Sequence, residues 1–136
     1  DELVAVVSTR SKLVKKDEIT VEELCKVPLV LRERGSGTLD VLETSLLYHN
    51  VKLSDLNVSM YLGSTESIKL FLENTDCMGI VSVRSIAREL VAGLFKVVEI
   101  KDLGMQREFS FVRLQGEESG LSQVFIQFTE HYNKNL

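Results

Sequence analysis

Tryptophan is missing from this chain of 136 residues, which also has one proline, two cysteines and two histidines. Each scarcity removes a class of function. Cys25 and Cys77 lie far apart in sequence and lack the close spacing of a metal site or a redox pair. Free thiols beside apolar positions are therefore expected, as suits a reducing cytoplasm. His49 and His131 stand near predicted helix ends, where exposed terminal residues are the ordinary reading. No motif joins His49 to Cys25 as a catalytic pair. A basic stripe is also missing, with 16 Lys and Arg against 20 Asp and Glu, so the segment offers no nucleic-acid face of its own. The nearest approach, Lys12-Leu13-Val14-Lys15-Lys16, is short, is flanked by Asp17 and Glu18, and reads as a solvated loop. No apolar run is long enough to span a bilayer. The opening Asp1-Glu2 lacks the positive start of a secretory signal. These absences predict a cytoplasmic protein with no membrane partner, no metal and no cofactor.

What is present suits a globular fold: 44% of residues are apolar and 26% charged. The length allows one domain, or one lobe of a two-lobed module. Leu3 to Val7 is a continuous apolar run rich in β-branched residues, which predicts a strand buried on both faces. Thr20-Val21-Glu22-Glu23 spells a capping box at the start of a short helix. Pro28 can open a strand, Leu29 to Leu31, because a strand's first residue can spare its N–H. A helix is predicted from Leu39 to Tyr48 with Leu39, Leu42 and Leu46 on one face. A half-buried strand is predicted from Asn57 to Leu62, and a helix from Ser64 or Thr65 that buries Ile68, Phe71 and Leu72. Strands follow over 79–83 and 96–100, with a short helix from Ser85 to Leu90 between them. A further strand is predicted over 108–114, then a polar stretch, then a helix capped by Ser122 with Val124, Phe125, Phe128 and Tyr132 as its apolar stripe. Strands alternating with helices predict an α/β fold with a largely parallel sheet. The apolar first strand and last helix read as parts of a second layer.

Two segments repeat one design, a strand followed by a small-residue loop and a helix start. They are Pro28 to Thr38, ending Gly35-Ser36-Gly37-Thr38, and Val58 to Glu66, containing Gly63-Ser64-Thr65. Each sets free backbone N–H groups and hydroxyls at a helix N-terminus, where the dipole favours an anionic or carbonyl-bearing guest by about 0.3–1 kcal/mol. Ser36, Gly37, Thr38, Gly63, Ser64 and Thr65 are the candidate ligand-binding residues. The competing reading is that Ser36 or Thr38, and Ser64, only cap their helices, a role worth about 1 kcal/mol. Neither loop is a phosphate-binding P-loop, since no Lys-Ser or Lys-Thr follows the second glycine. Neither is a nucleophile elbow, which needs G-x-S-x-G with a histidine and an acid in support. No catalytic residue is assigned.

In order and spacing these words resemble the effector-binding domain of LysR-type transcriptional regulators. The likeness is carried by Leu3 to Ser8, Ile19 to Leu24, Pro28 to Thr38, Leu62 to Lys69, Met78 to Ser82, and Leu121-Ser122 with Phe125 to Phe128. It implies a periplasmic-binding-protein type 2 fold, a three-layer sandwich whose mixed, mostly parallel sheet is flanked by helices. It implies that residues 10–108 form the whole second lobe, and that 1–9 and 109–136 are returning parts of the first. The remainder of that lobe and the winged helix-turn-helix that meets DNA would lie outside this segment. A small-molecule effector, with a carboxylate as one candidate, would bind between the lobes and control transcription without an enzymatic step. The helix 39–48 and the strand 57–62 would take part in homo-oligomer formation. A lobe of a solute-binding protein with the same fold is the alternative, and a small phosphate-handling enzyme a more distant one. The sequence departs from the pattern where Arg34 replaces a usual proline, where Leu39-Asp40 replace frequent arginines, and over Asn74 to Gly79.

Overall fold

The computed structural model describes residues 1–112, 116 and 120–133, with the backbone alone for Asn133. Its elements run β1 (Leu3–Ser8), β2 (Glu18–Ile19), α1 (Val21–Leu24), β3 (Leu29–Arg32), α2 (Gly37–Leu47), β4 (Val58–Leu62), α3 (Thr65–Leu72), β5 (Met78–Ser82), α4 (Ala87–Val91), β6 (Phe95–Ile100) and α5 (Gly120–Asn133). Six strands form one sheet in the order β2-β6-β1-β5-β3-β4. The pairings β2–β6, β3–β4 and β3–β5 are parallel, whereas β1 runs antiparallel to both its neighbours. The sheet is therefore mixed and mostly parallel, as expected.

Alternation along the strands sorts the apolar side chains into two cores. Leu3, Ala5 and Val7 of β1, Leu29 and Leu31 of β3, and Met78 and Ile80 of β5 pack on one face with Leu24 of α1 and Leu39, Leu42 and Leu46 of α2. Val6, Val30 and Val81 point to the other face, against Ile68 and Leu72 of α3, Ile86 and Phe95. A strand with apolar residues at both parities needs cover on both sides, which the helix layers supply. Each buried leucine or isoleucine contributes about 1.5–3 kcal/mol of transfer free energy. Gly79 has a packing reason: a Cβ there would stand 2.8 Å from Leu72 Cδ1 and 3.0 Å from Ile68 Cγ2. Its bareness lets α3 lie close on β5.

The first strand, β1, lies inside this sheet, with β5 on one edge and β6 on the other. Its unbroken apolar run suits that interior position. By contrast, α5 leaves its stripe exposed, with Val124, Phe125 and Phe128 each more than 60% accessible. Phe111 meets Phe125 edge-on, and Phe128 stacks on Tyr132. The helix starts at Gly120, so Ser122 sits within its first turn and is not its cap. Residues 108–112 form no regular strand, and the rest of that predicted strand, Arg113 and Leu114, lies outside the described residues. So do Gln115 and residues 117–119 of the polar stretch.

Several local expectations elsewhere hold, but β4 does not bury Val58, Met60 and Leu62 on one side as expected: Met60 is exposed, and Val58 and Leu62 pack against opposite cores. Thr20 and Glu23 form the reciprocal capping box, with bonds of 3.2 Å and 2.9 Å. The lysine-rich loop is answered by acids: Lys12 pairs with Asp76 and Lys16 with Glu23, while Lys96 reaches Asp17. Cys77 is buried and Cys25 half-buried, both as free thiols. Among the described residues no helix is long and apolar enough to cross a membrane.

Candidate functional site

The two repeated loops lie at the same edge of the sheet because β3 and β4 are parallel neighbours, with Arg32 opposite Leu62 where both end. The turn after β3 needs Gly35, whose φ of +86° is a conformation that side chains resist. Glu33 N–H donates to the Leu62 carbonyl at 3.2 Å. The Arg32 guanidinium forks onto the Glu33 carboxylate at 2.8 Å and 2.9 Å and also reaches the Gly63 carbonyl at 3.4 Å. That hydrogen-bonded pairing holds the Glu33 carboxyl below its usual range and raises the arginine further. The two loops are thus tied to each other by a side chain as well as by the sheet.

Ser36 is the N-cap of α2, and its Oγ accepts from Leu39 N–H at 3.2 Å. Thr38 is not a cap, which separates the two roles that the sequence left open for these residues. Ser64 is the N-cap of α3, its Oγ accepting from Ser67 N–H at 3.1 Å and lying 2.8 Å from Ser67 Oγ. Helix geometry leaves the first amides, those of Gly37 and Thr38 and those of Thr65 and Glu66, without intrahelical acceptors. Such ends are ready to donate to an anion or a carbonyl. Ser36 and Thr38 are buried and Gly37 is exposed. Ser64 and Thr65 are half-buried and Gly63 is exposed. Because α2 and α3 pack on opposite faces, the two helix starts approach the sheet edge from above and below.

Sequence reasoning missed Arg107. It stands 69 residues from Thr38, yet its Nη1 lies 3.4 Å from Thr38 Oγ1. The segment carrying it runs beside the start of the chain: Leu3 N–H donates to Met105 O at 2.8 Å, and Arg107 N–H to Asp1 O at 3.0 Å. Nothing local in Met105-Gln106-Arg107-Glu108 marks this arginine; only the crossing of the two strands of chain brings it to α2.

A second charged cluster sits behind the loops. Lys69 of α3 is 8% exposed and pairs with Glu66 at 2.8 Å and with Glu89 of α4 at 2.7 Å. Hydrogen bonds from Glu66 and then Glu89 raise the lysine's pKa, and Lys69 in turn lowers that of Glu89. This cluster fixes α3, and with it the second loop, against α4. His49 is engaged structurally, its Nε2 lying 2.9 Å from the Asp102 carbonyl. The outer side of this half carries exposed apolar groups, Leu47 and Tyr48 at the end of α2 and Met60 and Tyr61 on the edge strand β4.

Comparison with known proteins places this arrangement. Residues 1–133 match the model of the LysR substrate binding domain family. The chain is 29% identical over 127 residues to the HTH-type transcriptional activator CmpR of a Synechocystis strain, covering 93% of this chain and 41% of that one. It is 30% identical over 131 residues to the uncharacterized HTH-type transcriptional regulator YeiE of Escherichia coli K12, covering 96% and 43%. The chain thus spans less than half the length of these relatives. Among solved structures, the CcmR regulatory domain of Synechocystis PCC6803 in complex with 2-PG superposes with a TM-score of 0.83 at 24% identity, covering 99% of this chain and 64% of that one. The effector-binding domain of QuiR in complex with shikimate gives 0.70 at 20% identity, covering 98% and 62%.

Proposed function

This chain belongs to the LysR substrate-binding domain family, and from that premise we propose that it is the effector-sensing part of a LysR-type transcriptional regulator. Its effector is a small molecule held at the starts of α2 and α3, with Ser36, Gly37, Thr38, Gly63, Ser64 and Thr65 as donors. The observation that carries this reading is the tying of the two loops at one sheet edge, where Arg32 bridges Glu33 and Gly63. Two structural neighbours in complex with 2-PG and shikimate support a small-molecule guest.

The residues from β1 to β6 form the sensing lobe, and α5 belongs to a second lobe that closes over the site. An effector that binds one closure better than the other shifts the population toward it. The shift changes how the subunits of the oligomer sit on DNA. The domain works by binding and not by turnover. DNA is contacted through a separate winged helix-turn-helix, and the regulator acts in the cytoplasm as a homo-oligomer. The exposed edge strand β4 and the end of α2 supply the contact surface between subunits.

Thermal-shift screening of the protein against small carboxylates tests the assignment. A true effector at a hundred times its Kd stabilises by about 2.7 kcal/mol. Thr38→Val should abolish the shift while leaving the circular dichroism spectrum intact. An effector whose binding is indifferent to Thr38→Val would place the site elsewhere.

A further inference from the structure

Building on the two-lobed reading above, we propose that Arg107 is the latch of a hinge. It locks the returning segment 102–107 to residues 1–3 and to α2, so that movement of α5 against the sheet turns on the residues just after it.

Two stretches of chain run side by side here. Glu2 bridges Gln106 in antiparallel fashion. Arg107 N–H donates to Asp1 O at 3.0 Å, Asp1 N to Arg107 O at 3.0 Å, and Leu3 N–H to Met105 O at 2.8 Å. The end of β5 joins them, with Val83 N–H donating to Glu2 O at 3.0 Å. Backbone bonds alone leave a short two-stranded ribbon marginal in water. Side chains lock this one. Arg107 Nε donates to Asp1 Oδ2 at 2.8 Å, and Nη2 lies 2.7 Å from the same oxygen. The Asp1 side chain is 2% exposed, and its other oxygen accepts from Ser82 Oγ at 2.8 Å. One buried carboxylate therefore holds both the guanidinium and the end of β5. Removing one member of such a covered pair strands the other.

The helix α2 fastens the same segment from its own side. Thr38 Oγ1 accepts from Arg107 Nη1 at 3.4 Å, Ser45 Oγ donates to Gly104 O at 2.9 Å, and His49 Nε2 lies 2.9 Å from Asp102 O. These three side chains recur at helical spacing along one side of α2 and its C-terminal turn. Leu103 and Met105 anchor the segment in the core. The fastening stops at Arg107, whose guanidinium still covers the Phe109 ring at 5.1 Å from its centroid. Glu108 to Val112 are exposed, and among the described residues none of them hydrogen-bonds to the sheet. A chain tied down as far as one residue and bare beyond it bends at that boundary.

The test is the distance between spin labels on the sheet side and on α5, at Lys15→Cys and Glu130→Cys. The background carries Cys25→Ala and Cys77→Ala, and labelled protein is diluted with unlabelled. No effector is needed. With the latch intact the distribution should be narrow. Arg107→Met and Asp1→Asn should each broaden it about twofold, and the double variant should broaden it no further, because both remove one contact. Arg107→Lys, which keeps the charge and loses the fork, should fall between. A control pair within one lobe, Lys15→Cys with Glu43→Cys, should stay narrow in every variant. Widths unchanged by Arg107→Met overturn the inference. So does additive broadening in the double variant, or a control pair that broadens too, since the arginine then only supports the lobe. The fastening to α2 is read by hydrogen exchange. Ser45→Ala with His49→Ala should speed exchange of the Leu3 amide about tenfold, and an unchanged rate removes α2 from the latch. If the widths respond as expected while Thr38→Val leaves binding of a screened carboxylate intact, the latch stands and the effector site falls. If Thr38→Val abolishes that binding while Arg107→Met changes no width, the effector site stands and the latch falls.

Discussion

The two helix starts share a sequence design and differ in what the fold puts beside them. At the start of α2, Ser36 and Thr38 are buried and a guanidinium from a distant segment reaches Thr38. At the start of α3, Ser64 and Thr65 stand half in solvent, and Ser64 spends its hydroxyl on Ser67. The first is a preorganised donor cluster. The second is a well-capped helix end whose remaining donors are its first backbone N–H groups. A repeated loop–helix word therefore does not guarantee a repeated environment, because burial and charge come from chain segments outside the word.

This contrast can be broken first by moving the second start alone. Gly79→Ala should destabilise the domain by about 1–3 kcal/mol, because the added methyl meets Leu72 and Ile68 on α3. Urea unfolding reads the cost. Effector affinity measured on the same variant reads how much the displaced α3 loop contributes. An unchanged midpoint would mean that α3 packs more loosely on β5 than the contacts indicate.

A slightly smaller effect is expected from Lys69→Met, which leaves Glu89 half-covered without its cation. The loss should be about 2 kcal/mol, below that of a fully buried pair because Glu89 still reaches water. Its pH dependence has a definite sign. Glu89, held low in the fold, contributes stability above the ordinary glutamate value that is lost as pH falls through its depressed one. Lys69, held high, contributes below the ordinary lysine value and loses it as pH rises through its raised one. The gap between wild type and variant should be widest and flat around neutrality and should narrow in strong acid and strong base. A gap that is constant from acid to base would remove the ion cluster as its cause.

The capping serines compare the two starts directly. Ser36→Ala and Ser64→Ala should each cost about 1 kcal/mol, with the buried Ser36 the costlier because water replaces a lost cap more easily at the exposed site. Equal melting shifts for the two variants would erase that difference. The smallest stability effect belongs to Thr38→Val, within about 1 kcal/mol, since it removes one long hydrogen bond and keeps the shape. On effector binding the same variant should have the larger effect, and that inversion is what sets a binding residue apart from a cap.

Local chemistry was legible wherever near neighbours in sequence decide it. The Thr20–Glu23 box formed as spelled. The stripe Leu39, Leu42 and Leu46 turned inward, and Ser64 capped the helix it precedes. The continuous apolar run Leu3 to Val7 correctly announced a strand covered on both faces. Which strands flank it was not legible, because an apolar strand carries no mark of its partners. The strand predicted over 108–114 failed over its described part. Alternating Phe109 and Phe111 fit the period, but residues 108–112 have no partner strand in this sheet, and an unpaired extended segment is not a strand. The apolar stripe of α5 was readable too, while its exposure was not.

The sequence by itself determined the class of fold, most of the strands and helices from Leu3 to Ile100, and the two loops that nominate a site. These follow from side-chain period, capping and turn chemistry, which act over a few residues. The tertiary structure alone decided that β1 sits at the centre of the sheet, that Lys69 meets Glu89, and that Arg107, paired with Asp1, reaches the start of α2. Those are contacts between segments 20 to more than 100 residues apart. No local rule encodes them; they exist because burying both faces of one sheet leaves few ways for the chain to cross itself.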